Sequence, residues 1–188
     1  LEKPVTSDVK SIYSNHKQRI PVIDFEVITA QNFVKRRYET VKSNSFFNHA
    51  YMPFHEPNII LVSKDGKTEV YMSYNPKDKY SVIINGFTDR EAAVVLESVA
   101  VKMQEINMSY VEILFDAYSP EMQRAAIDAR FIPSGYFIAA KLNGSERRDC
   151  VVFSRTFDIL DFSNVKLSSL YRNFLREYIK LWRENYIE

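Results

Sequence analysis

The period of the hydrophobic positions changes repeatedly along the chain, and each change predicts a new element. Between Ser7 and Arg19, the residues Val9, Ile12, Tyr13 and His16 fall at helical spacing behind Ser7 as N-cap, and Pro21 ends that helix. The run Val22–Ile28 alternates and reads as a short strand or an extended lead-in. A second helix runs from Thr29 to about Val41, with Phe33, Arg37 and Val41 along one stripe. The stretch Ser43–Asn58, SNSFFNHAYMPFHEPN, has no period and reads as an ordered loop with inward-packed aromatics. Loops of that length are uncommon unless they serve a function.

From Asn58 onward the pattern is that of strands. NIILVS is one, Asp65-Gly66 within KDGK is a tight turn, and TEVYMSY is the partner, with Val70, Met72 and Tyr74 on one face. NPKDK turns into a third strand, YSVIINGF, after which the period becomes that of a helix through Ala92, Val95, Leu96, Val99, Ala100, Met103 and Ile106. Thr88-x-x-Glu91 has the form of a capping box at its start, and Asn107 is its stop. SYVEILFD then reads as a strand, SPEMQRAAIDA as a short capped helix, RFIPSG as a break and YFIAAKL as a further strand. RRDCVVFSRTF is the last strand, and DILDFSNVK links it to a helix from Ser168 to about Tyr186. Leu167, Leu170, Tyr171, Phe174, Tyr178, Leu181 and Trp182 give that helix a broad apolar face. The predicted fold is α/β (α+β): a mixed, mostly antiparallel sheet with helices on both faces and an added C-terminal helix. That last helix, residues 167–188, is expected on the flank of a domain spanning 1–166, or at an interface with a neighbouring domain or a second copy.

Composition narrows the function classes. The 188 residues include 13 Phe and 12 Tyr, enough for the core of one domain. Twenty-five basic and 24 acidic residues leave a net charge of +1, which gives no general attraction to nucleic acid or an anionic membrane. Lys35-Arg36-Arg37 is a local basic run and reads as a solvated helix face. The single cysteine, Cys150, excludes an internal disulfide and lies in the apolar run CVVF, as a buried thiol would. No apolar run approaches the roughly 18 residues of a membrane span, and no signal-peptide pattern is present. The expected setting is cytoplasmic.

Several side chains carry candidate chemistry. Two prolines stiffen the segment Met52–Asn58, which delivers Phe54, His55 and Asn58 to the edge of the first long strand. His55 suits a general base or an acceptor contact, or else a structural histidine bonded to backbone. His49 and His55 have no recognised metal spacing, and no metal is expected. Glu112 and Asp116 share one face of their strand, with Asp116 at its C-terminal end. Either carboxylate suits acid–base work; the alternatives are a cross-strand cation for Glu112 and turn satisfaction for Asp116. Arg147-Arg148-Asp149 reads as an anion clamp or as an exposed turn with a local ion pair, and Tyr136 and Phe137 face opposite sides of the sheet. No serine lies in a nucleophile elbow.

The unit Ser109–Leu142, strand–helix–Phe131–turn–strand, resembles the C-terminal half of the GNAT-type N-acetyltransferases, and the resemblance covers about residues 29–156. It implies an acyl-CoA cleft with Ile84, Asn85, Gly86, Arg90 and Ser119 on the cofactor side. It likewise implies acetyl-CoA or another acyl-CoA as donor and a small-molecule amine or amino-acid-like acceptor bordered by Phe54, Asn58, Tyr136 and Arg147. His55 and Asp116 are the candidate catalytic groups. Two departures qualify it. Aligning the family's Gly-Phe with Arg130-Phe131 puts Ser119 where Asn is usual, Met122 where Ala is usual, and Ala126 where a catalytic tyrosine is usual. The pyrophosphate loop is replaced by Gly86-Phe87-Thr88-Asp89-Arg90-Glu91-Ala92, with carboxylates in place of glycines. Three readings stay open: an acyl-CoA-dependent N-acyltransferase, a non-catalytic binding module of the same shape, and an acyltransferase using a carrier other than free CoA.

Overall fold

The computed structural model describes residues 20–41 and 55–186. The helix expected at Ser7–Arg19, together with His49, Phe54 and most of the aperiodic loop, lies outside the described residues. The strands are Phe25–Ile28 (β1), Ile59–Ser63 (β2), Glu69–Asn75 (β3), Tyr80–Phe87 (β4), Tyr110–Asp116 (β5), Ile132–Asn143 (β6) and Glu146–Thr156 (β7). The helices are Gln31–Val41 (α1), Ala92–Glu105 (α2), Pro120–Asp128 (α3) and, after a short 3-10 turn, Arg172–Tyr186 (α4). All seven strands join one sheet in the order β1-β2-β3-β4-β5-β7-β6. Only β4 and β5 pair in parallel, because α2 carries the chain back between them; every other neighbouring pair is antiparallel.

The period-2 alternation of the strands decides which face they bury. Leu61, Val70, Met72, Ile83, Ile113, Phe115 and Phe153 point to one face, where Leu96, Val99 and Met103 of α2 and Ala126 and Ile127 of α3 cover them. Phe115 and Phe153 stack there with centroids 5.2 Å apart. On the other face Ile60 and Tyr71 pack against Val34 of α1. Farther along it, Trp182 of α4 donates its indole N–H to Thr156 Oγ1 at 3.0 Å. Asn107, at φ 64, ends α2 in the left-handed conformation that stops helices. Gly66, at φ 69, closes the β2–β3 turn, and Asp65 Oδ1 accepts both the Ser63 hydroxyl and the Lys67 N–H.

Four local expectations change. The buried stripe of α1 is Val34, with Tyr38 and Val41 partly buried beside it, whereas Phe33 is exposed. Helical spacing from Val34 meets the sheet, and the Phe33 frame is turned away from it. The capping box does not form. Thr88 Oγ1 instead accepts the Arg90 N–H and meets Thr68 Oγ1, and α2 starts after Glu91 without a side-chain cap. The expected break at RFIPSG is shorter, because β6 already begins at Ile132 and passes Pro133 and Gly135 with a register irregularity. A proline is tolerated there because β6 is an edge strand. The apolar face of the C-terminal helix divides: Trp182 is 6% exposed, but Leu170 is 78% and Phe174 48% exposed.

Candidate functional site

The site begins with a bulge. On the β3 side, Tyr71 pairs with Asn85 and Met72 with Ile83, so Ile84 is the extra residue of β4. A bulge bends its strand and sharpens the local twist. On the other edge, β4 and β5 stay paired from Tyr80/Tyr110 only as far as Ile83/Ile113. Beyond that point Ile84–Phe87 and Leu114–Asp116 separate, and a wedge opens between two parallel strands at their C-terminal ends. The free edge of β4 there offers backbone amide and carbonyl groups that no strand pairs. Ligands of open α/β sheets bind at such strand ends.

Of the expected cofactor-side residues, Ile84, Asn85 and Gly86 lie on the unpaired end of β4 and Ser119 follows β5, whereas Arg90 faces the β2–β3 turn. Ile84, Asn85 and Gly86 form the β4 wall; Asn85 is buried, and its Oδ1 accepts the Gly86 N–H at 2.7 Å. Ser119 is buried at the start of α3, its N–H donated to the Asp116 carbonyl at 3.1 Å. Arg90, at the entry to α2, donates to Asp65 Oδ2 at 2.6 Å. Asp65 is held at about 2 from its usual 3.8, first by the Ser63 hydroxyl, then by the Lys67 N–H and Arg90. Asp89 faces Lys67 at 3.8 Å.

Asp116 closes the β5 side. It is 1% exposed, its Oδ1 accepts the Tyr118 N–H at 2.9 Å and its Oδ2 accepts Arg148 Nη1 at 2.8 Å. Arg148 also lies over the Tyr118 ring, 5.6 Å from its centroid. The two expected catalytic groups do not meet. Asp116 is at the wedge mouth, whereas His55 lies against Tyr80, the first residue of β4, with ring centroids 6.2 Å apart. Among the expected acceptor-side residues, Asn58 spends its side chain on the main chain of Tyr74, accepting its N–H and donating to its carbonyl. Tyr136 donates to Asp149 Oδ2 at 2.7 Å, and Arg147 donates to the Ala139 carbonyl at 3.2 Å. Burial and the Asp149 carboxylate push the Tyr136 phenol upward. Cys150 is buried, and that burial raises its thiol.

The polar centre that sequence reasoning underweighted is Glu112. Its expected cross-strand cation is replaced by two tyrosines: Tyr80 donates to Oε1 at 2.5 Å and Tyr110 to Oε2 at 2.8 Å. The two rings stack 5.5 Å apart at 12°. Burial pushes both phenols upward, with Glu112 reinforcing the shift. The Ser134 and Ser154 hydroxyls, beside the Tyr110 phenol, oppose its shift. Among the described residues no group of three metal-ligating side chains occurs, and no helix is long and apolar enough to cross a membrane.

Neither a protein-family model nor a curated protein matches the sequence. Solved structures match the architecture. The ribosomal-protein-S18-alanine N-acetyltransferase from Escherichia coli superposes with TM-score 0.51 at 7% identity, over 77% of this chain and 100% of that one. The spermidine N-acetyltransferase from Vibrio cholerae, in complex with CoA and spermine, superposes with TM-score 0.52 at 8% identity, over 70% and 95% respectively. The chain has the GNAT fold.

Within the GNAT fold, the departures noted in the sequence gain a physical meaning. Ala126 is fully buried in the core between α3 and α2, so this position offers the wedge no side chain. The N-terminus of α2 has no side-chain cap, leaving its first N–H groups to a ligand, while Asp65 and Asp89 are tied to Arg90 and Lys67. The edge of β4 beyond Ile83 leaves backbone groups unpaired and open to an extended amide-bearing chain. For a pyrophosphate the uncapped start of α2 offers backbone N–H groups but no glycine cradle, and Arg90 is already bonded to Asp65.

Proposed function

We propose that the protein is an N-acyltransferase that seats an acyl-CoA in the β4/β5 wedge and serves a small amine or amino-acid-like acceptor. The observation that supports this reading is the loss of β4–β5 pairing beyond Ile83/Ile113, driven by the Ile84 bulge. Such a wedge leaves one strand edge free to pair with an extended, amide-bearing chain. Ile84, Asn85 and Gly86 would hold that chain, with Arg90 and the start of α2 toward its phosphates and Ser119 at the far wall. The bound thioester supplies an activated acyl group. The protein's part is to align that group with the acceptor nitrogen and keep bulk water away, a positioning effect that can supply about 7–11 kcal/mol. Asp116 is given a holding role at the mouth, because both of its oxygens already accept hydrogen bonds.

Calorimetric titration with CoA and acetyl-CoA, paired with backbone amide NMR, tests the reading. Saturable heat with shifts centred on Ile84–Phe87 and Leu114–Asp116 is the expected result. Absence of any saturable response at millimolar CoA would defeat it.

A further inference from the structure

We infer that the cavity beside the C-terminal helix binds a small aromatic carboxylate, held by a fork of donors on Arg155. The inference does not depend on the acyl-CoA reading, because this cavity lies at the other end of the sheet from the wedge. It opens where Thr156 ends β7 beside Tyr110 at the start of β5, whereas the wedge opens beyond Ile83/Ile113. Its volume is about 560 Å³, and α4, the end of β7 and the last turn of α2 line it. Cavities of that order suit small-molecule ligands.

The anchor is a buried guanidinium. Arg155 is 7% exposed, and its Nη1 makes both of its bonds to protein, to Glu97 Oε2 at 2.5 Å and to the Ala129 carbonyl at 3.0 Å. Its Nε and Nη2 are bonded to no described residue, and neither is sealed from solvent. Those two nitrogens form one planar edge whose parallel donors match the two oxygens of a carboxylate. The chain already uses that edge once: Nε and Nη2 of Arg37 clasp Glu69 at 3.1 and 2.8 Å. Arg155 is fixed in place by Glu97 and by Phe157, whose ring centroid lies 5.9 Å from the guanidinium carbon. Its remaining donors are thus directed and held where bulk water competes poorly.

Arg130 adds a second cation to the lining. It holds φ 60 just after α3, a conformation in which glycine or asparagine is usual, and its carbonyl accepts the Tyr186 hydroxyl of α4 at 2.6 Å. Its guanidinium has no partner among the described residues. Phe157, Trp182 and Tyr186 supply aromatic surface, and the Trp182 indole N–H is already committed to Thr156. A flat apolar body fits against these rings while its carboxylate meets Arg155. Asp158, the carboxylate among the lining residues, is exposed and disfavours a second negative charge on the ligand.

Trp182 is the only tryptophan of the chain, so any change in tryptophan emission arises at the wall of this cavity. The test titrates the intact chain with phenylacetate, phenylacetamide and acetate, following that emission and the backbone amide shifts of Arg155 and Phe157. Phenylacetate should saturate both signals. Phenylacetamide, which lacks the charge, and acetate, which lacks the ring, should bind at least about tenfold more weakly. Arg130→Asn, which keeps a residue at ease in the left-handed conformation, should weaken phenylacetate by about threefold. Equal affinity for phenylacetamide, unchanged affinity in Arg130→Asn, or no saturable response to millimolar phenylacetate would overturn the inference. The amides of Ile84–Phe87 should stay unmoved, and phenylacetate shifts centred there would assign the ligand to the wedge and overturn it as well.

Discussion

Replacing Arg148 with alanine asks whether Asp116 holds the structure or performs chemistry. The Asp116 carboxylate is 1% exposed and bonded to Arg148 Nη1 at 2.8 Å, while the Arg148 side chain is 36% exposed. Removing one partner of a buried ion pair costs about 3–5 kcal/mol, because the surviving charge stays out of water. Here water already reaches part of the guanidinium, and truncating Arg148 lets it approach Asp116, so about 2 kcal/mol is the expected loss. For a domain of this size that lowers Tm by about 4–8 °C. Asp116→Asn keeps an acceptor for the Tyr118 N–H and leaves behind a guanidinium that can hydrate, so about 1 kcal/mol is expected. Both changes remove the same bond, and the double variant should therefore cost less than the two summed, by about 1 kcal/mol of coupling. Urea unfolding of the parent, both single variants and the double variant measures all of this. An Arg148→Ala variant within about 0.5 kcal/mol of the parent, or strict additivity in the double variant, would refute the structural role and return Asp116 to the list of catalytic candidates.

Trp182→Phe should cost about 2 kcal/mol, since it removes both buried indole surface and the bond to Thr156 Oγ1; an unchanged thermal midpoint would mean that α4 does not rest on the sheet in solution. The Asp65 carboxyl, held at about 2 in the fold against its usual 3.8, stabilises the β2–β3 turn above pH 3.8 and loses that contribution as the pH falls through about 2. Its side-chain 13C titration should show the low midpoint, and a midpoint near 3.8 would deny the Ser63 and Lys67 bonds. Ala126→Tyr, which adds a phenol at a position the GNAT resemblance aligns with a tyrosine, should unfold the protein more easily by upwards of about 2 kcal/mol and confer no acyl transfer, because that position is fully buried. A gain in acyl transfer would place α3 on the wedge.

The sheet was legible because each central strand announces its buried face. Val70, Met72 and Tyr74 alternate as expected, and Gly66 supplies the positive φ that the turn needs. The misreadings have a common cause, in that tertiary pairing overrode a local signal. Pro133 and Gly135 look like a chain break, but an edge strand has only one ladder to satisfy and absorbs both. Thr88 has the sequence of a cap, but its hydroxyl meets that of Thr68, the residue just before β3. Phe33 is the larger residue on α1, yet it is Val34 that the helix turns toward Ile60 and Tyr71. Glu112 was recognisable as a carboxylate on the same face as Tyr110 two residues earlier, but its second partner, Tyr80, comes from the parallel register of β4 and β5, which no local pattern encodes.

Geometry and chemistry thus occupy different residues in this chain. The wedge needs only a bulge at Ile84 and a crossover helix, and neither requires a particular functional side chain. The wedge therefore forms although Ala126 is a core residue and Asp89 and Glu91 stand before α2. Glu112 lies about 13 Å along β5 from Asp116, a distance set by four residues of strand. The two carboxylates therefore cannot share one proton-transfer task. Asp116 is anchored to a cation at the mouth, whereas Glu112 accepts hydrogen bonds from the hydroxyls of Tyr80 and Tyr110.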